Sequence, residues 1–337
     1  MIYSQAAYKL SISELVAAMR KMNKIITVGL SPAWDITCRG RGLDWGRHKM
    51  ISSTSSQAAG KALNISRALA WLGTKTIAAG LWGRQDYGQM LKSVSPLKKW
   101  INIKMTAVPG ATRQNITIID TANKREMHLR AASDLACEKN LTKLKADLGK
   151  IVTKNSICVF AGSMPSEKLI DNVIAIINRC SGRGAKIAVD TSGAALKRIV
   201  DSGKIWLIKP NFEELRELLG KQIKDTPTNL VKAGRELLKK KRIDIVLISR
   251  GKKGAIAITK EAAWQGRCIG NHKKVLSTVG CGDYLLAGFL KTFKDKTNLD
   301  TALETAIKVA TARALGWTEC LSWAKVRRRI KVQIDRM

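Results

Sequence analysis

Short runs of β-branched and other apolar residues alternate along this chain with helical patterns, and this alternation constrains the fold more than any other feature. The runs predict strands at residues 25–30, 157–161, 186–190, 205–208, 243–249 and 255–259. Helical patterns lie between them, for example at residues 60–72, 166–180 and 211–219. This order predicts an α/β fold with a mainly parallel central sheet covered by helices on both faces. Ligands of such sheets bind at the carboxyl ends of the strands.

Two regions, about 31–52 and about 101–131, break this rhythm with short alternations rich in Thr, Arg and Ile. We interpret them as small antiparallel strands outside the main sheet, forming a lid or a dimer-forming flap. The 337 residues then divide into a helical N-terminal extension (1–24), one domain (25–318) and a basic C-terminal tail (319–337). Because the lid strands need a partner for their apolar face, we predict a homodimer.

The chain is strongly basic, with 60 Lys and Arg against 26 Asp and Glu and a formal net charge of +34. Nucleic acid is the first partner that such a charge suggests. The basic residues are nevertheless spread over the whole chain, with no zinc-finger spacing and no low-complexity basic arm. We therefore expect a generally basic surface and no specific nucleic-acid binding.

The sequence also bears on compartment and membrane. No run of eighteen apolar residues occurs, so no membrane span is expected. The seven cysteines form no C-x-x-C pair, which favours reduced thiols and disfavours a zinc site. Together with an N-terminus that lacks a secretory apolar core, these features predict a cytoplasmic protein.

Residues 277–283 read Ser-Thr-Val-Gly-Cys-Gly-Asp and open directly into an apolar helical pattern. The free N–H groups at a helix start, together with the helix dipole, create an anion site, and Gly280 and Gly282 let the backbone approach a ligand. Asp283, in the first helical turn, has two interpretations of similar weight. It is either a general base that takes a proton from an attacking hydroxyl, or an ordinary N-cap.

Eight segments in one collinear order, over roughly residues 25–315, resemble motifs of the PfkB family of carbohydrate kinases. The two main segments are Val279-Gly280-Cys281-Gly282-Asp283, followed by Ala287-Gly288, and Ala59-Gly60-Lys61-Ala62-Leu63-Asn64. The others are Pro32-Ala33-Trp34-Asp35, Thr112-Arg113-Gln114-Asn115-Ile116, Gly162-Ser163-Met164-Pro165, Asp190-Thr191-Ser192-Gly193, Lys209-Pro210-Asn211 with Glu214, and Ser249-Arg250-Gly251 with Gly254-Ala255. Several of them point to the branch of 1-phosphofructokinases and tagatose-6-phosphate kinases.

The resemblance implies a ribokinase-like fold with a small β lid. It also implies transfer of the γ-phosphoryl group of ATP, with Mg²⁺, to a hydroxyl of a hexose phosphate. Fructose 1-phosphate is the first expected acceptor and tagatose 6-phosphate the second. By the same resemblance, Asp283 is the catalytic base, and the backbone N–H groups of Gly280, Cys281 and Gly282 stabilise the transferred phosphoryl group.

The resemblance assigns the remaining site residues to three groups. The acceptor would be bound by Asp35, Gly60, Lys61, Asn64, Arg113, Asn115 and Ser163, with Lys61 and Arg113 holding its phosphate. ATP would be bound by Lys209, Asn211, Ser249, Arg250, Gly251 and Gly254. Magnesium would be held, through water, by Asn211 and Glu214.

Several residues depart from the family pattern, including Cys281, which stands where the family usually has Ala. Ala59 and Ala62 stand at glycine positions, and Tyr284 is bulkier than the small residue common after the catalytic Asp. These departures concern the acceptor more than the fold. Two alternatives therefore stay open beside the sugar-phosphate kinase: a kinase for an unphosphorylated sugar or a nucleoside, and a catalytically weak basic binding protein on the same fold.

Overall fold

The structure is a computed structural model that describes residues 24–270, 275–292 and 298–337. Its strands form two separate sheets. The main sheet contains β1 (Ile25–Gly29), β4 (Thr76–Gly83), β5 (Ile101–Val108), β8 (Ile157–Ala161), β9 (Lys186–Asp190), β10 (Ile205–Ile208), β11 (Ile243–Ser249), β12 (Ala255–Ile258), β13 (Ala263–Ile269) and β14 (Lys331–Arg336). The smaller sheet, called the lid below, contains β2 (Ala33–Gly40), β3 (Ile51–Ala59), β6 (Gln114–Asp120) and β7 (Arg125–Arg130).

The α-helices connect the strands of the main sheet and cover it. Those in the described ranges are α1 (Lys61–Trp71), α2 (Tyr87–Val94), α3 (Glu138–Ile151), α4 (Ile170–Gly182), α5 (Gly193–Ser202), α6 (Phe212–Leu219), α7 (Pro227–Lys240), α8 (Cys281–Thr292), α9 (Leu299–Ala314), α10 (Trp317–Cys320) and α11 (Trp323–Arg329). None of these helices is both long enough and apolar enough to cross a bilayer.

The order of the main sheet is β14-β13-β12-β11-β10-β9-β8-β1-β4-β5. All pairs from β11 to β5 are parallel, whereas β12, β13 and β14 pair antiparallel at one edge. The predicted α/β fold with a mainly parallel sheet is therefore confirmed. The carboxyl ends of β1, β8, β9 and β10 meet at one edge, where the sequence places most of its candidate site residues.

Alternating side chains of the central strands supply two hydrophobic cores. In β8, Cys158 and Phe160 pack into one core, and Ile157 and Val159 pack into the other. The first core is closed mainly by α3, α4, α5 and α7, and the second by α1, α8 and α9. Burial on both faces explains why these strands read as continuous apolar runs in the sequence.

The lid lies at the predicted place but has different bounds and pairing. Residues 101–108, predicted to belong to it, form β5, which pairs in parallel with β4 at the edge of the main sheet. The lid strand β3 runs past residue 52, to Ala59. The lid is also mixed, because β2 pairs antiparallel with β3 but parallel with β6. Burial of Ile101, Thr106 and Val108 explains why β5 joins the main sheet.

The C-terminal residues, predicted as a basic tail from 319 to 337, also differ from expectation. β14 pairs with β13 at six positions from Ile269↔Lys331 to Trp264↔Arg336. Val326 and Ile330 are buried and pack against Ala312 of α9. Apolar anchors therefore integrate this basic segment into the domain. The predicted N-terminal helix lies outside the described residues, apart from Lys24.

Candidate active site

The candidate site lies where the carboxyl ends of the parallel strands face the lid. Asp190 ends β9, and Lys209 directly follows β10. Lys61 and Asn64 lie in the first turns of α1, and Asp283 lies in the first turn of α8. Both helix starts bring free backbone N–H groups and the positive end of a helix dipole to the same cleft.

Asp283 is a buried carboxylate with one specific hydrogen bond. Its side chain is 4% exposed, and Asn64 Nδ2 donates to its Oδ2 at 3.0 Å. Burial, followed by repulsion from Asp190, raises the pKa of Asp283 to about 6, although Asn64, Lys61 and Lys209 act in the opposite direction. Asp283 is therefore ionised at neutral pH yet basic enough to accept a proton.

Asp190 lies between two lysine ammonium groups and is the residue that the sequence assignments missed. Its Oδ1 lies 3.2 Å from Lys209 Nζ and 3.6 Å from Lys61 Nζ. The carboxylate is 1% exposed, and neither of its oxygens has a hydrogen bond of good geometry. The Asp-Thr-Ser-Gly segment at a strand end was a usable signal, because that position faces the ligand cleft.

The charged ammonium group of Lys61 lies near several carboxylates. Burial would lower the pKa of Lys61, but attraction to Asp190, Asp283 and Glu214 outweighs burial, and the pKa is raised. Its side chain is 42% exposed, so the ammonium can still reach a ligand in the cleft. Lys209 is 6% exposed and lies deeper, beneath the glycine turn.

The glycine turn has the backbone that the sequence predicts. Gly280 has a φ of 79°, a conformation that glycine adopts without strain. A Cβ on Gly282 would lie 3.3 Å from Lys209 Nζ, so the ammonium lies directly against the turn. Cys281 N donates to Thr278 O at 3.3 Å, and the pKa of the Cys281 thiol is raised by burial. The turn therefore presents N–H groups and a neutral thiol beside a lysine.

On the lid, Asp35 and Asn115 lie opposite each other in β2 and β6. Asn115 Nδ2 donates to Asp35 Oδ1 at 3.0 Å, whereas the buried Asn115 Oδ1 has no hydrogen-bond partner in the described structure. The unpaired amide oxygen needs a donor, which a hydroxyl of a bound sugar would supply. The pair therefore contains one buried acceptor that lacks a donor.

Arg113 joins the lid to the main body. Its guanidinium donates to Pro32 O at 3.2 Å, Ser31 O at 3.3 Å and Ala131 O at 2.7 Å. Burial, followed by repulsion from Arg130, lowers the pKa of Arg113. Carbonyl oxygens do not neutralise a guanidinium charge, so the two arginines form a cationic patch.

The remaining acceptor residues lie at the entrance of α1. Gly60, its N-cap, has a φ of 118°. Ala59 and Ala62 are buried, and Ala59 is not among the described residues with positive φ, so its Cβ causes no backbone strain. Ser163 is exposed and follows Gly162, where an added Cβ would lie 3.6 Å from Lys61 Cβ. Ser163 thus lies on the Lys61 side of the cleft.

A cavity of about 660 Å³ opens on the other side of the glycine turn. Apolar residues of α9 and polar backbone of the loops after β10 and β11 line it, including Asn211, Ser249, Gly251, Gly254, Thr278, Cys281, Gly282, Ile307, Ala310 and Thr311. Its volume falls in the range of small-molecule sites, roughly 300–1,000 Å³. The predicted ATP residues Asn211, Ser249, Gly251 and Gly254 therefore come together around one cavity.

Two predicted nucleotide residues are engaged elsewhere: Lys209, which pairs with Asp190, and Arg250. The side chain of Arg250 is 5% exposed, and its Nε and Nη2 donate to Asp225, at 2.9 Å to Oδ1 and 3.2 Å to the carbonyl oxygen. Arg250 N donates to Gly254 O at 2.9 Å. Arg250 thus shapes the loop 250–254 and does not reach the cavity with its side chain.

The comparisons with known proteins agree with this geometry. A sequence model described as pfkB family carbohydrate kinase matches residues 22–315. The chain belongs to the pfkB family of carbohydrate kinases. It is 30% identical over 274 residues to a 1-phosphofructokinase of Vibrio cholerae, an alignment that covers 79% of this chain and 81% of that protein. It is 33% identical over 267 residues to a 1-phosphofructokinase of Borreliella burgdorferi, covering 78% and 82%.

Solved structures show the same fold. The phosphofructokinase-2 of Escherichia coli in complex with fructose-6-phosphate superposes with a TM-score of 0.82, covering 91% of this chain and 98% of that one. At 21% identity this likeness bears on the fold alone. As a member of the pfkB family, the chain is a phosphotransferase that acts on a hydroxyl group, and the family implies ATP as the phosphoryl donor.

In this pfkB-family kinase, Asn211 and Glu214 form a complete capping box at the start of α6. Glu214 N donates to Asn211 Oδ1, and Asn211 N donates to Glu214 Oε2, both at 2.8 Å. A helix cap and a metal site are compatible here, because the cap uses only one carboxylate oxygen of Glu214.

Proposed function

We propose that this kinase phosphorylates a hexose phosphate, with fructose 1-phosphate as the first acceptor and tagatose 6-phosphate as the second. One observation carries the acceptor class: the Arg113 guanidinium donates to the carbonyl oxygens of Pro32, Ala131 and Ser31 and forms no ion pair with a carboxylate of the described residues. Arg130 repels Arg113, while Asp35 attracts it. An acceptor phosphate would relieve this repulsion, and a neutral sugar would leave it in place. The relatives named 1-phosphofructokinase support the same acceptor.

Asp283 acts as the general base. With Oδ2 held by Asn64, its Oδ1 takes the proton of the attacking sugar hydroxyl. Asp190 supports this role because its negative charge keeps the pKa of Asp283 high. Asp35 and Asn115 orient the sugar hydroxyls from the lid side.

Negative charge on the transferred phosphoryl group is met by two kinds of positive group. The backbone N–H groups of Gly280 and Gly282 would bind the phosphoryl group at the start of α8, whereas Cys281 N already donates to Thr278 O. Lys209 lies directly against Gly282. Lys61 approaches from α1 on the acceptor side. These groups are fixed before the substrate binds, which lowers the reorganisation that the reaction requires.

The donor set of the site fits Mg²⁺ in the manner of a kinase. The described residues hold no group of three or more His, Cys, Asp or Glu side chains that could bind a metal by themselves. Magnesium is usually held by one or two carboxylates together with substrate phosphates and water, and it supplies charge neutralisation on those phosphates. Glu214 has one carboxylate oxygen outside the capping box, so Glu214 would hold the ion through water, with Asn211 beside it.

We further propose that the kinase works as a homodimer in the cytoplasm and requires no nucleic-acid partner. The uncovered apolar face of the lid supports the dimer. All seven cysteines are free, which suits a reducing compartment.

A coupled assay of ADP release across a panel of acceptors tests the function. Fructose 1-phosphate should have the highest kcat/KM, and fructose, ribose and nucleosides should be poor acceptors. Arg113→Ala should raise the KM for the sugar phosphate by about ten- to a hundredfold, because a charge-assisted pair contributes about 1.5–3 kcal/mol. The KM for ATP should stay unchanged.

One control variant sharpens the result, and two outcomes would contradict the proposal. Arg84→Ala removes an exposed arginine that is not part of the lid, and it should leave both KM values unchanged. Better turnover with an unphosphorylated acceptor would refute the proposed substrate class while leaving the family assignment intact. No turnover with any acceptor, in a folded protein that binds ATP, would favour the basic binding protein instead.

A further inference from the structure

Asp86 forms a hydrogen-bonded junction between the main body and both entry points of the lid. It lies between β4 and α2 and is outside every segment that resembles a family motif. Its Oδ2 accepts from Trp34 Nε1 at 2.6 Å. Its Oδ1 accepts from Thr112 N at 3.0 Å and Thr112 Oγ1 at 3.1 Å. Both carboxylate oxygens are thus committed to the lid.

These hydrogen bonds are unusual for a residue in the position of Asp86. Asp86 is the N-cap of α2, where an aspartate ordinarily accepts a hydrogen bond from the start of its own helix. Its side chain makes no such bond. A side-chain cap stabilises a typical helix by about 0.5–2 kcal/mol. Helix α2 lacks this stabilisation because both oxygens of Asp86 accept hydrogen bonds from Trp34 and Thr112 instead.

Both partners of Asp86 stand next to residues that would bind the acceptor. Trp34 precedes Asp35 in β2, and successive side chains of a strand point to opposite faces. Fixing the Trp34 ring towards the body therefore directs the Asp35 carboxylate to the other face, where Asn115 meets it. Thr112 precedes Arg113 in the same way, and Trp34 N donates to Arg113 O at 2.8 Å.

The contacts around Thr112 are tight enough to transmit a change at Asp86. Thr112 is 3% exposed, and its hydroxyl also accepts from Gly83 N at 3.1 Å. A Cβ on Gly83 would lie 2.6 Å from Gly110 O and Thr112 N, so the segment leading to β6 lies directly against the end of β4. The lid entry cannot shift here without breaking the hydrogen bonds of Thr112.

We propose that Asp86 is a positioning residue for acceptor binding: by holding Trp34 and Thr112, it fixes Asp35 and Arg113 of the lid relative to Asp283 of the main body. This inference rests on the proposed function only in that the lid binds the acceptor. Asp86 touches neither substrate, so its loss should weaken acceptor binding and leave the nucleotide cavity and the base unchanged.

The test compares Asp86→Asn with wild type. The amide keeps an acceptor for Thr112 but turns a donor towards Trp34 Nε1. Asp86→Asn should raise the KM for fructose 1-phosphate roughly tenfold or more, the range for a lost bond to a charged group. The KM for ATP and the midpoint of the kcat/KM pH profile should not change. Trp34→Phe, which removes the Nε1–H donor together with part of the ring, should act in the same direction. The double variant should be no worse than the more affected single variant.

Asp120→Asn is the matched control. Asp120 is also a buried carboxylate of the lid, but it organises the turn at the far end, accepting from Gly42 N at 2.8 Å and Leu43 N at 3.1 Å. Asn115 and Asp120 are five residues apart in β6, or about 17 Å along a strand. Asp120→Asn should lower the Tm without changing the ratio of the two KM values.

Hydrogen exchange of the substrate-free protein tests the junction independently of the function. Amides of β2 and β6 should exchange faster in Asp86→Asn and Trp34→Phe than in wild type. If wild type turns over no acceptor, the proposed function fails and this measurement still decides the inference. Unchanged exchange in β2 and β6 would overturn it. So would an equal loss in both KM values together with the Tm, which would make Asp86 a purely structural residue.

Discussion

At the residue scale, the charge of Asp283 is the property from which the chemistry follows. A buried carboxylate beside Asp190 keeps its proton to a higher pH than an ordinary aspartate, with a pKa of about 6. Two lysines prevent the pKa from rising further, so the carboxylate is ionised near neutral pH. Three charged side chains that are distant from Asp283 in the sequence, Lys61, Asp190 and Lys209, thus set the pKa of the proposed general base.

The first prediction concerns the pH dependence of the reaction. Asp283 accepts a proton only when ionised, so kcat/KM should rise with pH through about 6 and level off above it. Asp190→Asn removes the negative charge that raises the pKa of Asp283, so the midpoint should move to lower pH. Rate profiles of both proteins with the same acceptor provide the measurement.

The acceptor's own phosphate titrates near pH 6, so the informative quantity is the difference between variant and wild type. Asp244→Asn is the control, because Asp244 is an exposed residue near the amino end of β11, away from the cleft. A midpoint that stays in place in Asp190→Asn would mean that Asp190 does not act on Asp283.

The second prediction concerns the free energy of unfolding of Asp283→Asn. The folded-state pKa is raised from an ordinary 3.8 to about 6, so keeping Asp283 ionised costs stability at pH 6 and above, and this cost disappears as pH falls towards 4. At ~1.4 kcal/mol per pKa unit, the full cost is about 3 kcal/mol. The stability of the variant relative to wild type should therefore improve by up to that amount between pH 4 and pH 7.

Urea denaturation across this pH range measures the difference. Asp120→Asn should show the opposite trend. Burial opposes ionisation of Asp120, but hydrogen bonds from Asn123 and Gly42 outweigh it and hold its pKa well below the usual range. Ionised Asp120 therefore adds to the free energy of unfolding above pH 4, and this stabilisation is lost as pH falls. A pH-independent difference for Asp283→Asn would contradict the raised pKa.

Individual site residues differed in how readily the sequence revealed them. Asp283 and Asn64 were predicted from a glycine turn and a motif, and the structure joins them at 3.0 Å across 219 positions of sequence. Asp190 and Asp86 were not assigned, because their roles depend on partners brought close only by folding. A strand-end aspartate carries no local sign that two lysines will meet it.

At the element scale, α6 begins with a capping box that also faces the nucleotide cavity through Asn211. The third prediction follows: Glu214→Gln should raise the Mg²⁺ concentration for half-maximal activity and leave the KM for the sugar phosphate nearly unchanged. Glutamine can still complete the capping box, so the helix start should persist while the carboxylate charge is lost. Activity measured across a Mg²⁺ titration provides the test.

Glu213→Gln is the matched control, because it removes the same charge from the neighbouring position, where the carboxylate pairs with Arg216. It should leave the Mg²⁺ titration unchanged. If Glu214→Gln behaves like Glu213→Gln, Glu214 is a capping residue only.

The sequence pattern did not predict the two edge strands of the main sheet, β5 and β14. In β5, apolar Ile101, Ile103 and Met105 alternate with polar residues, a pattern shared by a lid strand and by a half-covered edge strand. Only pairing with β4 distinguishes the two. In β14, Val332 and Ile334 pack against the core, but two apolar residues within a strongly basic segment are too weak a signal for a strand. The central strands, buried on both faces, were predicted within one residue.

The fourth prediction tests the integration of the C-terminal segment. Ile330 is 1% exposed, so Ile330→Ala should lower the free energy of unfolding by about 2–5 kcal/mol. Lys331→Ala, at the adjacent exposed position, should stay within about 0.5 kcal/mol of wild type. Denaturant unfolding compares the two variants. Equal, negligible effects would indicate that residues 319–337 are the loose tail that the sequence suggested.

At the scale of the whole molecule, the two faces of the lid differ in chemistry. The register places Asp35, Asn115 and Arg130 side by side on one face. The opposite face carries Ile36, Cys38, Ile116, Ile118, Met127 and Leu129. A sheet that binds substrate on one face and is apolar on the other requires a cover for the second face. The sequence predicted a partner for the lid, but not which residues would face it, because that depends on the parallel pairing of β2 with β6.

The last prediction is that this apolar face joins two copies of the chain. Leu129 and Met127 are 46% and 37% exposed in one chain, whereas the core of an interface is desolvated. With a net charge of +34, two copies repel each other at long range, so apolar contact and added salt should both favour association. Light scattering at micromolar protein and about 0.15 M salt, where the Debye length is about 8 Å, should give twice the mass of one chain.

Leu129→Lys should give a monomer, because it places a charge in the apolar face. His128→Lys, one position away on the opposite face of β7, should remain dimeric. A monomeric wild-type protein, or equal behaviour of the two variants, would show that this face is not where the subunits meet.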